Sequence, residues 1–188
     1  MKQRVSFLDR AHTGLLVIDV QDCLVAAVDR GCEVVQNIAT AVRGCSLLKL
    51  PIIISEQYPK GLGPTTLGVK MAFEEGTDLQ IFTKTTFSCL GDSKFREYIL
   101  SCPVKQWILV GMEAHVCVLQ TAKDLLREGL EVTVLNDSIT SRSVFDFSTA
   151  IAELRDCGAR VTCTEAALFE LLKDSQASEF KAISQLIR

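Results

Sequence analysis

Three residues in this chain of 188 combine reactive types with the places where an α/β chain binds its ligands: Asp19, Lys84 and Cys117. A carboxylate, a lysine and a thiol in one crevice supply a proton carrier, a fixed positive charge and a nucleophile. Those are the parts needed to cleave an acyl compound through a covalent intermediate. Singly, each has an ordinary structural use. An aspartate ending an apolar run commonly caps a turn or helix. A lysine after a strand is usually solvated, and one cysteine among eight usually packs as a small hydrophobe. Cys117 stands apart from the other seven because it lies at the opening of a helical pattern, where the helix N-terminus favours a thiolate. His115 is only two residues away on that helix and faces another direction, so it reads as pocket lining or surface and not as a base for Cys117.

The elements that position these residues alternate along the chain. Short apolar, β-branched runs occur at 14–20, 51–55, 79–83, 105–112, 130–136 and 159–163. Each is nearly continuous, as expected for strands covered on both faces. Between them, 33–49, 115–128 and 143–157 carry apolar residues at helical spacing, with Gly129 and Gly158 as C-terminal stops. This pattern predicts one parallel sheet with helices on both sides. Asp19 then falls at the end of the first run, Lys84 just after the third and Cys117 just after the fourth. The segment 57–78 reads as the longest irregular piece, of the kind that forms lids or partner contacts. The last stretch, 177–188, has one apolar face (Phe180, Ile183, Ile187) to pack on the parent domain or across an oligomer interface. No linker, repeat or low-complexity stretch divides residues 1–188, which read as a single domain.

Composition narrows the function classes. Hydrophobic residues make up 48% and charged residues 23%, with a net charge of -3, and no Lys/Arg cluster marks a nucleic-acid or membrane-surface footprint. Small neutral substrates fit better. No apolar run approaches the ~18 residues of a membrane span, and the first twelve residues lack the apolar core of a secretory signal. The eight cysteines are therefore expected to be reduced and the protein cytoplasmic. No C-x-x-C pair occurs and only His12 and His115 are available, so no structural metal is expected. Neither G-x-G-x-x-G after the first strand nor G-x-x-x-x-G-K-[ST] is present, and no nucleotide cofactor is expected.

The blocks LLVIDVQ, FTKTTFS and ILVGMEAHVCV, in this order, resemble the isochorismatase-like cysteine hydrolases, which include nicotinamidases and N-carbamoylsarcosine amidases. The resemblance runs from about Gly14 to about Leu172, and EQYPKGLGPTT is similar to the isochorismatase-domain-containing subgroup. It implies a Rossmann-like three-layer α/β/α sandwich around a six-stranded parallel sheet, and a triad of Asp19, Lys84 and Cys117. It also implies a non-proline cis peptide between Met112 and Glu113, with the backbone N–H groups of Glu113 and Cys117 forming an oxyanion hole. Homo-oligomerisation is a further implication.

Two departures refine the expected activity. Nicotinamidases carry an Asp-x-His and another histidine after the second strand for a metal ion; here SEQYPKGLG has no histidine. Isochorismatases proper lack the nucleophilic cysteine that Cys117 provides. The expected reaction is hydrolysis of a small C–N amide-like substrate through a thioester, with Gln21, Gln57, Tyr58, Phe87, Met112 and His115 as candidate pocket residues. The alternative is a binding or scaffold protein that keeps the fold without turnover.

Overall fold

The six apolar runs form six parallel strands of one sheet: β1 (Thr13–Ile18), β2 (Ile52–Gln57), β3 (Gln80–Lys84), β4 (Gln106–Met112), β5 (Glu131–Thr140) and β6 (Arg160–Thr162), in the order β3-β2-β1-β4-β5-β6. The computed structural model describes residues 7–74 and 79–188. The start of the stretch read for a secretory signal and the end of the 57–78 segment lie outside the described residues. β1 and β4 are buried at every position. That double burial is why their sequences run apolar without alternating.

Nine helices are described: α1 (Asp22–Ala27), α2 (Gly31–Leu47), α3 (Pro59–Leu62), α4 (Leu67–Lys70), α5 (Ser93–Ser101), α6 (Leu119–Arg127), α7 (Val144–Asp156), α8 (Thr164–Leu172) and α9 (Phe180–Leu186). Successive residues of β1 serve opposite layers, as the period of a strand requires. Leu15 and Val17 pack with Val34 and Ile38 of α2, Leu168 of α8 and Ile183 of α9. Leu16 and Ile18 pack with Phe95 of α5, Leu125 of α6 and Leu154 of α7. The result is the three-layer α/β/α sandwich. Truncating a fully buried residue such as Ile38 to alanine would cost about 2–5 kcal/mol in lost burial and cavity.

Three expectations need correction. The 57–78 segment is not irregular throughout, since α3 and α4 fall within it. It is stitched down where Glu56 Oε1 accepts from the Thr65 backbone N–H (2.7 Å) and hydroxyl (2.8 Å). The stretch 115–128 is not one regular helix: a π-helical turn, Ala114–Val118, precedes α6. The helices α1, α5 and α8 were not anticipated. Of the two uses expected for the apolar face of α9, packing on the parent domain is seen, with Ile183 fully buried and Phe180 against Phe169 (centroids 6.2 Å apart).

Candidate active site

Strand order reverses at β1, with β2 and β3 to one side and β4 to β6 to the other. Open α/β sheets bind ligands outside the carboxyl ends of the strands at such a point. Asp19 is the first residue beyond β1, Lys84 is the last of β3, and Cys117 lies in the π-helical turn that follows β4. Ile18 is aligned with Ser55 of β2 and Gly111 of β4, so Asp19 leaves the sheet between those strands. Its backbone is left-handed (φ 53°), a conformation that costs about 1–2 kcal/mol and that aspartate tolerates better than most residues. Gly111 has φ +127°, and a Cβ there would stand 2.0 Å from the Ile18 carbonyl oxygen. Glycine thus lets β4 close on β1 directly before the Met112–Glu113 peptide, which is cis.

The Asp19 side chain is completely buried and its two oxygens are divided. Oδ2 accepts from Lys84 Nζ at 2.6 Å and Oδ1 accepts from the Ser55 hydroxyl at 2.7 Å. The Cys117 thiol lies near the same carboxylate, whose charge acts on it. The structure therefore brings Asp19, Lys84 and Cys117 together. Lys84 Nζ also donates to Gln57 Oε1 (2.7 Å), the Phe87 carbonyl (3.0 Å) and the Thr86 carbonyl (3.2 Å). Four acceptors surround the three hydrogens of one ammonium, so no donor is left unused. Burial works against the Lys84 charge. The Asp19 carboxylate, through its charge and its hydrogen bond, is the main opposing influence, and the pKa ends above the ordinary lysine value. Such a pair adds little net stability, but loss of either partner strands a buried charge.

Cys117 departs from the expected thiolate. Burial, and next the Asp19 charge, push its thiol well above the ordinary range, against the smaller opposing pull of Lys84. At 6% exposure and facing a carboxylate, the thiol keeps its proton against any help from the helix end. The sulfur would become a nucleophile only on losing that proton.

The remaining site expectations divide by role. Gln57 contacts Lys84 and donates through Nε2 to the Thr85 carbonyl (2.9 Å). Tyr58 and Phe87 flank Lys84 along the backbone and expose their rings. Gln21 is fully buried and acts as a structural rung, donating to the Gln57 and Gly63 carbonyls and accepting from the Gln57 N–H. Met112 packs into the apolar core on the α2 side. His115 Nδ1 pairs with the Ser141 hydroxyl at 2.9 Å. The Glu113 carboxylate accepts from the backbone and guanidinium of Arg142, and its carbonyl accepts from the Val116 and Val118 N–H groups. These bonds fix the turn that carries Cys117. Sequence reasoning missed Ser55 and set Cys89 aside. The one available signal was a serine closing the run PIIIS beside the Asp19 strand.

The residues after β2 do not fit a metal ion. Glu56, the one acidic side chain of SEQYPKGLG, is occupied by Thr65, and no three His, Cys, Asp or Glu side chains gather as a ligand set among the described residues. A hollow of about 500 Å³ lined by Leu50, Ile52, Phe73, Leu79, Tyr98 and Cys102 lies by the amino ends of β2 and β3 and shares no residue with the site. Among the described residues no helix is long and apolar enough to cross a membrane.

An open parallel sheet with a buried carboxylate, lysine and thiol at its switch point defines a three-layer α/β protein with a candidate site at its strand ends, and comparison with known proteins gives its family. The isochorismatase domain matches residues 13–166. Isochorismatase domain-containing protein 2 of Danio rerio is 38% identical over 173 residues, 92% of this chain and 85% of that protein. The secreted isochorismatase effector Isc1 of Phytophthora sojae is 35% identical over 175 residues, 93% of this chain and 83% of that one. The solved structure of the MAR1 ribonuclease from Caenorhabditis elegans superposes with a TM-score of 0.90 at 35% identity, covering 97% of this chain and 92% of the other. The chain belongs to the isochorismatase family, a family of hydrolases.

Proposed function

We propose that this chain hydrolyses a small, uncharged C–N amide-like substrate through a Cys117 thioester. The observation that carries the reading is the single buried carboxylate of Asp19, which accepts from Lys84 and stands near the Cys117 thiol. Asp19 takes the thiol proton as the sulfur bonds to the substrate carbonyl carbon. Lys84 holds the site's charge fixed throughout. The backbone N–H groups of Glu113 and Cys117 receive the oxyanion. Asp19 then delivers its proton to the leaving nitrogen as the C–N bond breaks. Water attacks the thioester, losing its proton to Asp19, and the C–S bond cleaves to release the acid and restore the thiol. Gln57, Tyr58, Phe87 and His115 are the groups we assign to the substrate side. Met112 and Gln21 shape the site from behind.

The ribonuclease name of the Caenorhabditis elegans protein raises a phosphodiester substrate. The one lysine of the triad is already encircled by oxygen acceptors, which favours a neutral carbonyl. A second reading, a scaffold without turnover, is favoured by the near closure of the site, in which Asp19 and Lys84 side chains have no exposure. We further infer a homo-oligomer in the cytoplasm. The free state of all eight cysteines and the exposed Val144 and Phe145 at the start of α7 support that reading. A panel of small amides, carbamoyl compounds, nicotinamide and single-stranded RNA, tested with and without a chelator, separates the readings. Acid release from an amide that survives chelation is expected. RNA cleavage alone, or no turnover of anything, would overturn the proposal.

A further inference from the structure

Behind Asp19 stands a buried hydroxyl that the thioester reaction does not use as a reacting group. Ser55 is fully buried on β2, and its hydroxyl gives its one proton to Asp19 Oδ1 at 2.7 Å. Cys89 is fully buried in a short 3-10 turn (Cys89–Gly91). Its backbone N–H donates to Thr121 Oγ1 at 3.0 Å. Burial, the main cause, keeps the Cys89 thiol protonated by raising its pKa to about 11.

We propose that Ser55 is a positioning residue for the reaction: its hydroxyl holds Asp19 Oδ1 as the anionic proton acceptor. The inference rests on the reading of Asp19 as the acceptor for Cys117. The titratable groups that face Asp19 are Lys84 from β3, Cys117 from the π-helical turn and Cys89 from the 3-10 turn. Glu56, the next residue of β2, is engaged with Thr65. Lys84 fixes one oxygen of the carboxylate and Ser55 the other. A donor to an anion favours the anion, so Ser55 tempers how strongly Asp19 draws the proton from Cys117. That restraint lets Asp19 release the proton again to the leaving group.

The proposal makes a prediction that a packing role does not. Removing the Ser55 hydroxyl makes Asp19 a stronger proton acceptor, so more of the pair exists as thiolate and carboxylic acid. The test is the pH profile of iodoacetamide alkylation at Cys117, followed by peptide mass spectrometry and needing no substrate. In wild type the rate should rise on the acid side to a plateau whose midpoint belongs to the Cys117–Asp19 pair. In Ser55→Ala that midpoint should move up by about one pH unit and the plateau should rise roughly tenfold. Ser55→Cys, similar in volume and a weaker donor, should shift in the same direction by less, which keeps the test decisive if the alanine variant does not fold. Ser55→Thr, which keeps the hydroxyl, should restore the wild-type midpoint. Asp19→Asn separates the two claims, because it should abolish the acid-side rise. If it does so while the Ser55 variants keep the wild-type midpoint, or merely react more slowly at every pH, the role given to Ser55 is overturned and the thioester reading stands. If Asp19→Asn keeps the wild-type rise, both fall.

Discussion

Cys45 and Cys117 are both buried cysteines that hold their protons, yet their surroundings differ. Cys45 lies on α2 among apolar side chains, and burial alone lifts its thiol from the ordinary 9.0 to about 12. Cys117 sits at the strand ends, where Asp19 adds to burial and Lys84 opposes it. Removing a thiol from water silences it in both places. Of the two, Cys117 is the one with a carboxylate nearby to which its proton can pass, and there the sheet supplies a buried cation to balance the charge. Reactivity here is a property of the neighbourhood and not of exposure.

The largest expected break in this comparison is Asp19→Asn. It removes the acceptor and strands the Lys84 ammonium, so turnover on any identified substrate should fall about 10²–10⁴-fold. Urea unfolding should show a loss of about 3–5 kcal/mol. Cys117 would then resemble Cys45, a buried thiol with nowhere to send its proton. Gly111→Ala comes next. Its Cβ meets the Ile18 carbonyl, so β4 should be displaced from β1 and Asp19 from the turn bearing Cys117. A destabilisation on the order of 4 kcal/mol is expected, with activity lost although no reacting group has changed.

The smallest effect is expected at Cys45. Because its folded pKa is raised, the stability it contributes is fully present below the ordinary value of 9.0 and is lost as pH rises toward about 12. Cys89 acts in the same sense up to about 11. Unfolding midpoints should therefore fall through the alkaline range, and Cys45→Ala should flatten that fall. At neutral pH this variant should lose only about 1 kcal/mol and keep full turnover. Loss of activity in Cys45→Ala would mean that the two cysteines are coupled in a way their positions do not explain.

The sheet was legible because doubly covered strands are written as near-continuous apolar runs, so all six were found and Asp19, Lys84 and Cys117 could be placed at their ends. Helices with weaker signals were lost. In α5 only Phe95 and Ile99 are buried, and its best marker was Asp92, whose carboxylate caps the Phe95 N–H. The α8 N-terminus is bonded by Asp137, 27 residues earlier in the chain, a partner that spacing does not reveal. Ser55 was hidden for a similar reason. A serine at the end of PIIIS looks like a strand boundary until the β1–β2 register sets it beside Asp19. Gln21 looked like a pocket residue because it follows Asp19 so closely, whereas its amide is spent on the loop backbone. The π-helical turn at Cys117 was read as an ordinary helix start, and with it came a thiolate that burial and Asp19 oppose.

The central claim is that Cys117 forms the bond to substrate, and the most direct test is mass spectrometry of a quenched reaction with a slowly hydrolysed small amide. An acyl adduct should appear on the Cys117 peptide, be absent from the Cys45 peptide, and be lost with turnover in Cys117→Ser. Full turnover by Cys117→Ser, with no adduct on the wild-type Cys117 peptide, would contradict the account.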